Sequence, residues 1–237
     1  MMRDDAMDQA AIVDAAITSR RSVRAFLPTP VPRAVVEEIL DVAARAPSGT
    51  NMQPWRVHAL AGPPLAAFCA QVEAAFLQGG HGQKREYLYY PDEFFEPYLS
   101  RRRQVGFALY DLLGIKRGET EKMKRQHAAN FRFFGAPVGL ICTIDKRLNL
   151  GSWLDYGIFL GNMMAAIRGR GLASIPQAAF ASLPVTIRAA LGLPESEAIV
   201  CGMAIGHEDL SDPVNQLRTP RVPAAAFCDF SRFAEQD

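Results

Sequence analysis

Two stretches carry side chains whose types and spacing can do chemistry. The first is Ala46-Pro47-Ser48-Gly49-Thr50-Asn51-Met52-Gln53-Pro54-Trp55. Proline, serine, glycine, asparagine and glutamine crowd one turn there, ahead of the apolar run Trp55 to Leu60. Carboxamides offer donors and acceptors on one short side chain, and a turn leaves backbone N–H groups free. Such a loop beside a rigid edge can read the donor and acceptor pattern of a flat heterocycle. The second is Arg20-Arg21-Ser22-Val23-Arg24. Guanidinium forks bind phosphate through paired N–H donors, and Ser22 adds a hydroxyl. A helical turn would put Arg20 and Arg24 on one face. Taken alone, the cluster reads as a solvated basic patch at a helix end, where the dipole favours cations. Taken with the amide-rich loop, it points to a phosphorylated ring. Arg218-Thr219-Pro220-Arg221 brings two more guanidiniums in a proline-stiffened segment, and distant basic clusters can converge on one phosphate.

The elements that must position these groups follow from periodicity. Ala10 to Ser19 reads as a helix ending at the arginine cluster. Phe26 to Pro32, with Pro28, Pro30 and Pro32, is an extended connector. In Arg33 to Ala46, Val36, Ile39, Leu40 and Ala43 recur at helical spacing and Pro47 stops the helix. Trp55 to Leu60 reads as a strand, and Pro64 to Gln78 as a helix before the break Gly79-Gly80-His81-Gly82. Residues 83–135 mix aromatics with charges, Arg101-Arg102-Arg103 among them. That mixture predicts partly buried amphipathic helices, a lid or wall over a site. Gln83 to Tyr87, Tyr90 to Asp92 and Phe131 to Phe134 could there contact a substrate, the alternative for any one aromatic being packing of lid on core. Pro137 to Ile144 and Glu197 to Ile205 read as apolar strands, and Leu172 to Gln177 as a short strand or loop. Trp153 to Arg170 is a long helix whose Gly161 and Ala165 permit close approach of another helix, from this chain or a second. Pro184 to Leu191 is a short helix ended by Gly192, and Ser211 to Asp237 wraps an outer surface. Strands separated by helices predict one α+β domain over 1–237, a sheet with helices on its faces.

Bulk numbers narrow the function classes. Across 237 residues, 26 basic against 25 acidic side chains give no overall pull toward nucleic acid or an anionic membrane. The N-terminus has no signal-peptide pattern, and no apolar run reaches the ~20 residues of a membrane span, so a cytoplasmic protein is expected. Cys69, Cys142, Cys201 and Cys228 lack C-x-x-C spacing and read as buried reduced thiols. The four histidines show no ligand pairing, and no metal is expected. G-x-G-x-x-G after a strand, a P-loop and G-x-S-x-G are all missing.

In order along the chain, Arg20 to Arg24, Ala46 to Trp55, Gly171-Leu172-Ala173-Ser174-Ile175-Pro176-Gln177, Cys201-Gly202-Met203-Ala204-Ile205-Gly206 and Arg218 to Arg221 resemble the nitroreductase family of FMN-dependent oxidoreductases. The resemblance spans roughly residues 12–225. It implies a nitroreductase-like α+β fold with a central mixed or antiparallel sheet, in an intertwined homodimer holding one FMN at each of two interface sites. It implies that Arg20 and Ser22, with Arg221 and Arg218 and beside Arg21, hold the phosphate. Arg24 matches a basic position at the flavin N1–C2=O edge, and Asn51 and Gln53 match ring-reading positions. Pro47 and Ser48 match a loop offered by the partner subunit, Pro176 and Gln177 a segment near flavin N5, and Gly202 the last core strand as a cofactor contact. The helix Trp153 to Arg170 matches the dimer helix.

The implied chemistry is ping-pong. NADPH or NADH passes hydride to the flavin, leaves, and an aromatic or quinone-like acceptor takes its place. No side-chain catalyst is then required; a cation at Arg24 tunes the flavin by stabilising charge at N1–C2=O. Two alternatives stay open at this point. The same flavin fold can serve another acceptor, by reductive dehalogenation or enone reduction, or it can bind flavin without catalysis.

Overall fold

Residues 2–79 and 83–234 are described by the computed structural model. The helices are α1 (Met2–Thr18), α2 (Arg33–Ala43), α3 (Gly62–Leu77), α4 (Tyr98–Leu112), α5 (Thr120–Ala128), α6 (Leu150–Gly169) and α7 (Pro184–Leu191). The strands are β1 (Arg56–Ala61), β2 (Val138–Asp145), β3 (Ala173–Gln177) and β4 (Glu197–Gly206). The break expected at Gly79 to Gly82 lies outside the described residues from 80 to 82.

β2 and β4 are buried along their whole length. An unbroken apolar strand needs cover on both faces, and this fold supplies it. The sheet runs β1-β2-β4-β3, antiparallel throughout. On one face, Ile39 of α2 and Tyr156, Phe159, Met163 and Ile167 of α6 pack on Leu140, Cys142 and Met203. On the other, Phe68 and Val72 of α3 join Phe131, Phe133 and Phe180 over Ile141 and Ala204. Successive β2 residues therefore serve opposite cores, as the strand period of two requires.

Several boundaries differ from the sequence reading for local reasons. α1 starts at Met2 rather than Ala10, and α6 at Leu150 rather than Trp153. α2 stops at Ala43, because Pro47 disfavours helical geometry at Ala46. The excursion resolves into α4 and α5, and α4 buries none of its residues. It ends earlier than expected, at Ala128, because Phe131 and Phe133 are core residues with no exposure. Left-handed backbone at Phe133 and Phe134 (φ 50° and 53°) turns the first ring inward. Room for the rings comes from glycine. A Cβ on Gly139 would sit 2.5 Å from the Phe133 ring, and one on Gly202 would sit 2.3 Å from the Phe180 ring. The thiols also divide: Cys142 and Cys201 are buried, Cys69 is half-buried, and Cys228 is exposed in the open tail, against expectation.

The root of the excursion is pinned. The Gln83 carboxamide accepts from Val185 N at 2.9 Å and donates to Thr186 Oγ1 at 2.7 Å, capping α7. The Glu86 carboxylate pairs with Arg188 and with Lys146 at 2.8 Å, and accepts from Ile199 N at 2.9 Å. Tyr87 donates its hydroxyl to Val200 O at 2.6 Å and rests against Trp153 at 4.5 Å. These two residues and Gln83 are thus scaffold contacts, with Tyr87 also facing a cleft described below.

Gly202→Ala should lower the unfolding free energy by about 1–3 kcal/mol, the usual range for overpacking a filled core. A urea midpoint shift at constant slope is the readout, and an unmoved midpoint would show that Phe180 yields. A second expectation concerns acid. Burial pushes the Glu86 carboxyl up, but Lys146, the Ile199 N–H and Arg188 outweigh it and hold it below its usual value. Its ionised form thus favours the folded state, fully so above about pH 4.5, and the benefit fades as pH falls through the depressed folded value. Glu86→Gln should cost about 1–3 kcal/mol at neutral pH and flatten that acid limb. Urea titrations followed by Trp153 fluorescence at several pH values measure both effects.

Candidate active site

After α1 the chain runs extended beside β3. Ser22 bridges Ser174 in parallel, and Val23 N donates to Ser174 O at 3.3 Å. Phe26 pairs with Glu208, and Leu27 N donates to His207 O at 2.8 Å. An extended strap alternates its side chains. Arg20, Ser22 and Arg24 therefore share one side by strand period, where a helical turn was expected to align them. Arg21 and Val23 take the other side. Val23 is buried and Arg21 pairs with Glu208. Arg21, expected at the phosphate, is committed to that carboxylate instead.

The tail closes over the strap through Asn215. This buried carboxamide accepts from Arg24 N at 2.7 Å and donates to Ala25 O and Asp209 O, each at 2.8 Å. Asn215 was missed in the sequence reading. The available signal was Asp212-Pro213, a turn initiator whose Asp212 Oδ1 accepts from Val214 N at 2.9 Å. The closure brings Arg221 near Arg20. Burial lowers the Arg20 guanidinium's proton affinity first, and the positive charge of Arg221 lowers it further. Neither forms an ion pair among the described residues. Arg218 donates to the carbonyls of Asn215 and Leu217 at 2.8 and 3.1 Å and serves the local turn.

Arg24 is more deeply placed. Burial lowers its proton affinity, its Nη1 donates to Ser22 O at 3.2 Å, and no carboxylate of the described residues lies within ion-pair distance. Arg24, Pro176 and Gln177 border a cleft of about 610 Å³, with Tyr87, Tyr89, Tyr90, Tyr110 and Phe134 on its wall. Pro176 is tolerated in β3 because that strand is an edge. Gln177 donates to Asn130 O at 2.7 Å, while its buried Oε1 has no partner. Of the other residues read as substrate contacts, Phe131 and Phe133 are core, and Arg132 pairs with Glu73 at 2.9 Å. Gly202, read as a cofactor contact, faces Tyr-free core: it lies opposite Gln177 in the β3–β4 register, and the Phe180 ring fills its side-chain space. It supports the cleft floor from behind.

The amide-rich loop is elsewhere. Thr50, Asn51 and Gln53 are left-handed, with φ of 49°, 60° and 48°, a conformation that costs of order 1 kcal/mol per non-glycine residue. Gln53 N donates to Ser48 Oγ at 3.0 Å, and Gly49 N to Asp155 Oδ2 of α6 at 3.1 Å. Trp55 stacks on Phe159 at 4.8 Å. Pro47, Ser48, Asn51 and Gln53 do not line the cleft. One chain therefore does not unite the loop with Arg24 and Gln177. Beside the loop, α6 presents Leu150, Leu154 and Ile158 outward, with Gly157 and Gly161 along the same stripe. Among the described residues no acidic, histidine or cysteine group could hold a metal, and no helix is long and apolar enough to cross a membrane.

Comparison with known proteins places nearly the whole chain. The chain is 43% identical over 220 residues to a 4-nitrobenzoate reductase of Pseudomonas putida, covering 93% of this chain and 96% of that one. It is 38% identical to a chloronitrobenzene nitroreductase of Comamonas testosteroni, covering 94% and 99%. The crystal structure of the FMN and NADPH-dependent nitroreductase NfnB from sphigopyxis sp. strain HMH superposes with a TM-score of 0.89 at 39% identity, covering 93% and 99%. Residues 17–207 match the nitroreductase family itself, and the chain belongs to that family.

Proposed function

We propose that this protein is an FMN-dependent reductase of nitroaromatic compounds, drawing electrons from NADPH or NADH and working as a homodimer. The observation that carries the reading is the approach of Arg221 to Arg20 from opposite ends of the chain, neither in an ion pair among the described residues. Arg20 is half-buried, Arg221 is exposed and braced on Thr219 and Pro220, and neighbouring like charges favour an anion between them. Ser22 adds its hydroxyl on the same side of the strap. Four residues of extended chain separate Arg20 from Arg24, about 13 Å, so the strap offers a phosphate end and a ring end to one elongated ligand. The Gln177 Oε1, buried and unpaired, awaits an N–H donor at that ring end.

When bound, FMN supplies two-electron redox chemistry between the nicotinamide and the acceptor. The protein's own part is electrostatic and geometric. Arg24, fixed by Asn215 and Ser22 O, holds positive charge where the ring becomes electron-rich, in a site with little water to screen it. The tyrosine wall stacks flat substrates and excludes water from the cleft. Pro47, Ser48, Asn51 and Gln53 reach the site from a second chain, whose loop docks across the exposed α6 stripe. That stripe is apolar and small, as a tightly packed helix interface needs. The names of three relatives, a 4-nitrobenzoate reductase, a chloronitrobenzene nitroreductase and a nitrobenzene nitroreductase, support this acceptor class.

The purified protein should be yellow, sediment as a dimer, release FMN on heating and oxidise NADPH when a nitroarene is added. The Arg20→Ala, Arg221→Ala double variant should lose most of its flavin on dialysis while staying folded. A colourless wild-type protein that takes up no FMN would end the reading. Arg24→Ala should keep FMN but lower its two-electron midpoint potential by about 30–60 mV, the equivalent of losing one charge-assisted hydrogen bond. Spectroelectrochemistry gives the value, and an unchanged potential would remove Arg24 from that role.

A further inference from the structure

The residues lining the 610 Å³ cleft include no aspartate or glutamate. Two guanidiniums border it, Arg24 and Arg85. Arg24 is occupied at the ring end, but Arg85 stands on the outer wall and forms no ion pair among the described residues. Its backbone is nonetheless fixed from both sides. Gln83 is tied to the start of α7, and Glu86 and Tyr87 are tied to β4 through Ile199 N and Val200 O. Arg85 also borders a neighbouring hollow with Glu86 and Glu195, whose carboxylates already face Lys146 and Arg188. An exposed guanidinium on an anchored backbone beside an acid-free aromatic cleft is placed to receive an anion.

We propose that the preferred acceptor is an anionic nitroarene bearing a ring carboxylate, and that Arg85 binds that carboxylate. The proposal rests on the nitroarene-reductase reading. The aromatic ring lies against Tyr89 and Tyr90, while the fork of Arg85 takes both carboxylate oxygens. With no carboxylate on the wall to oppose it, the anion enters a cleft whose fixed charges are all favourable. A neutral nitroarene gains only the stacking.

The test uses the wild-type holoenzyme, Arg85→Gln and Arg85→Lys. kcat/KM is measured for 4-nitrobenzoate and for its methyl ester at saturating NADPH. Wild type should favour the acid. Arg85→Gln should cut the acid-to-ester ratio by about tenfold or more, through the KM of the acid, and Arg85→Lys should restore part of it. Benzoate titrated calorimetrically into oxidised holoenzyme should bind about tenfold more weakly to Arg85→Gln. A wild-type preference for the ester, or a ratio that Arg85→Gln leaves unmoved, overturns the proposal. So does a raised KM for NADPH, but not NADH, at an unmoved ratio, which would assign the cation to the donor's extra phosphate. A holoenzyme that reduces neither compound would sink the nitroarene reading itself, while one that reduces both without preference sinks only the role of Arg85.

Discussion

Arg221 comes close enough to Arg20 for its charge to oppose that guanidinium, and no ion pair among the described residues relieves either. Side chains so placed are unfavourable in isolation, by an amount that grows as water is excluded. Arg24, desolvated and without a carboxylate, adds to the same imbalance. The stability of the sheet and its two cores offsets this local cost. An anion with a charge distribution to match converts it into binding energy. The site is therefore defined by missing partners as much as by the groups present.

What holds those cations is a strap one layer beyond the sheet. Its bonds to Ser174 and His207 give it strand geometry without making it a full strand. Strand geometry sorts the cluster: Arg24 borders the cleft, Arg21 turns to Glu208, and Val23 enters the core. Asn215 then locks strap to tail by two hydrogen bonds, while a third to Asp209 O braces the tail itself. In the core that also receives Val23 and Phe26 of the strap, Gly139 and Gly202 admit the rings of Phe133 and Phe180.

Much of this was legible in the sequence. The apolar runs of β2 and β4, the periodicity of α2 and α3, and the length of α6 declared themselves, because burial on one or two faces leaves a pattern in residue order. The basic cluster was visible too, but its partition was not. Arg21 and Arg24 are the same residue type, and only the pairing of Ser22 with Ser174 decides which way each points. Phe131 and Phe133 looked like lid aromatics because charged residues surround them; two left-handed residues and a distant glycine make them core. Asn215 stayed hidden since Asp212-Pro213 marks only a turn, not the carboxamide's reach to a segment 190 positions away. The loop from Pro47 to Gln53 was read correctly as a cluster of polar groups, but its separation from the cleft within one chain depends on a docking against α6 that residue order does not encode.

That loop has one more implication. Thr50, Asn51 and Gln53 adopt their left-handed angles in the single chain, tied down by Ser48 and Asp155. The conformational entropy of the loop is thus surrendered during folding, before any encounter. A surface that later meets it finds a rigid template and need not wait for a mobile segment to settle, so the association free energy keeps what an unstructured loop would have spent on becoming ordered.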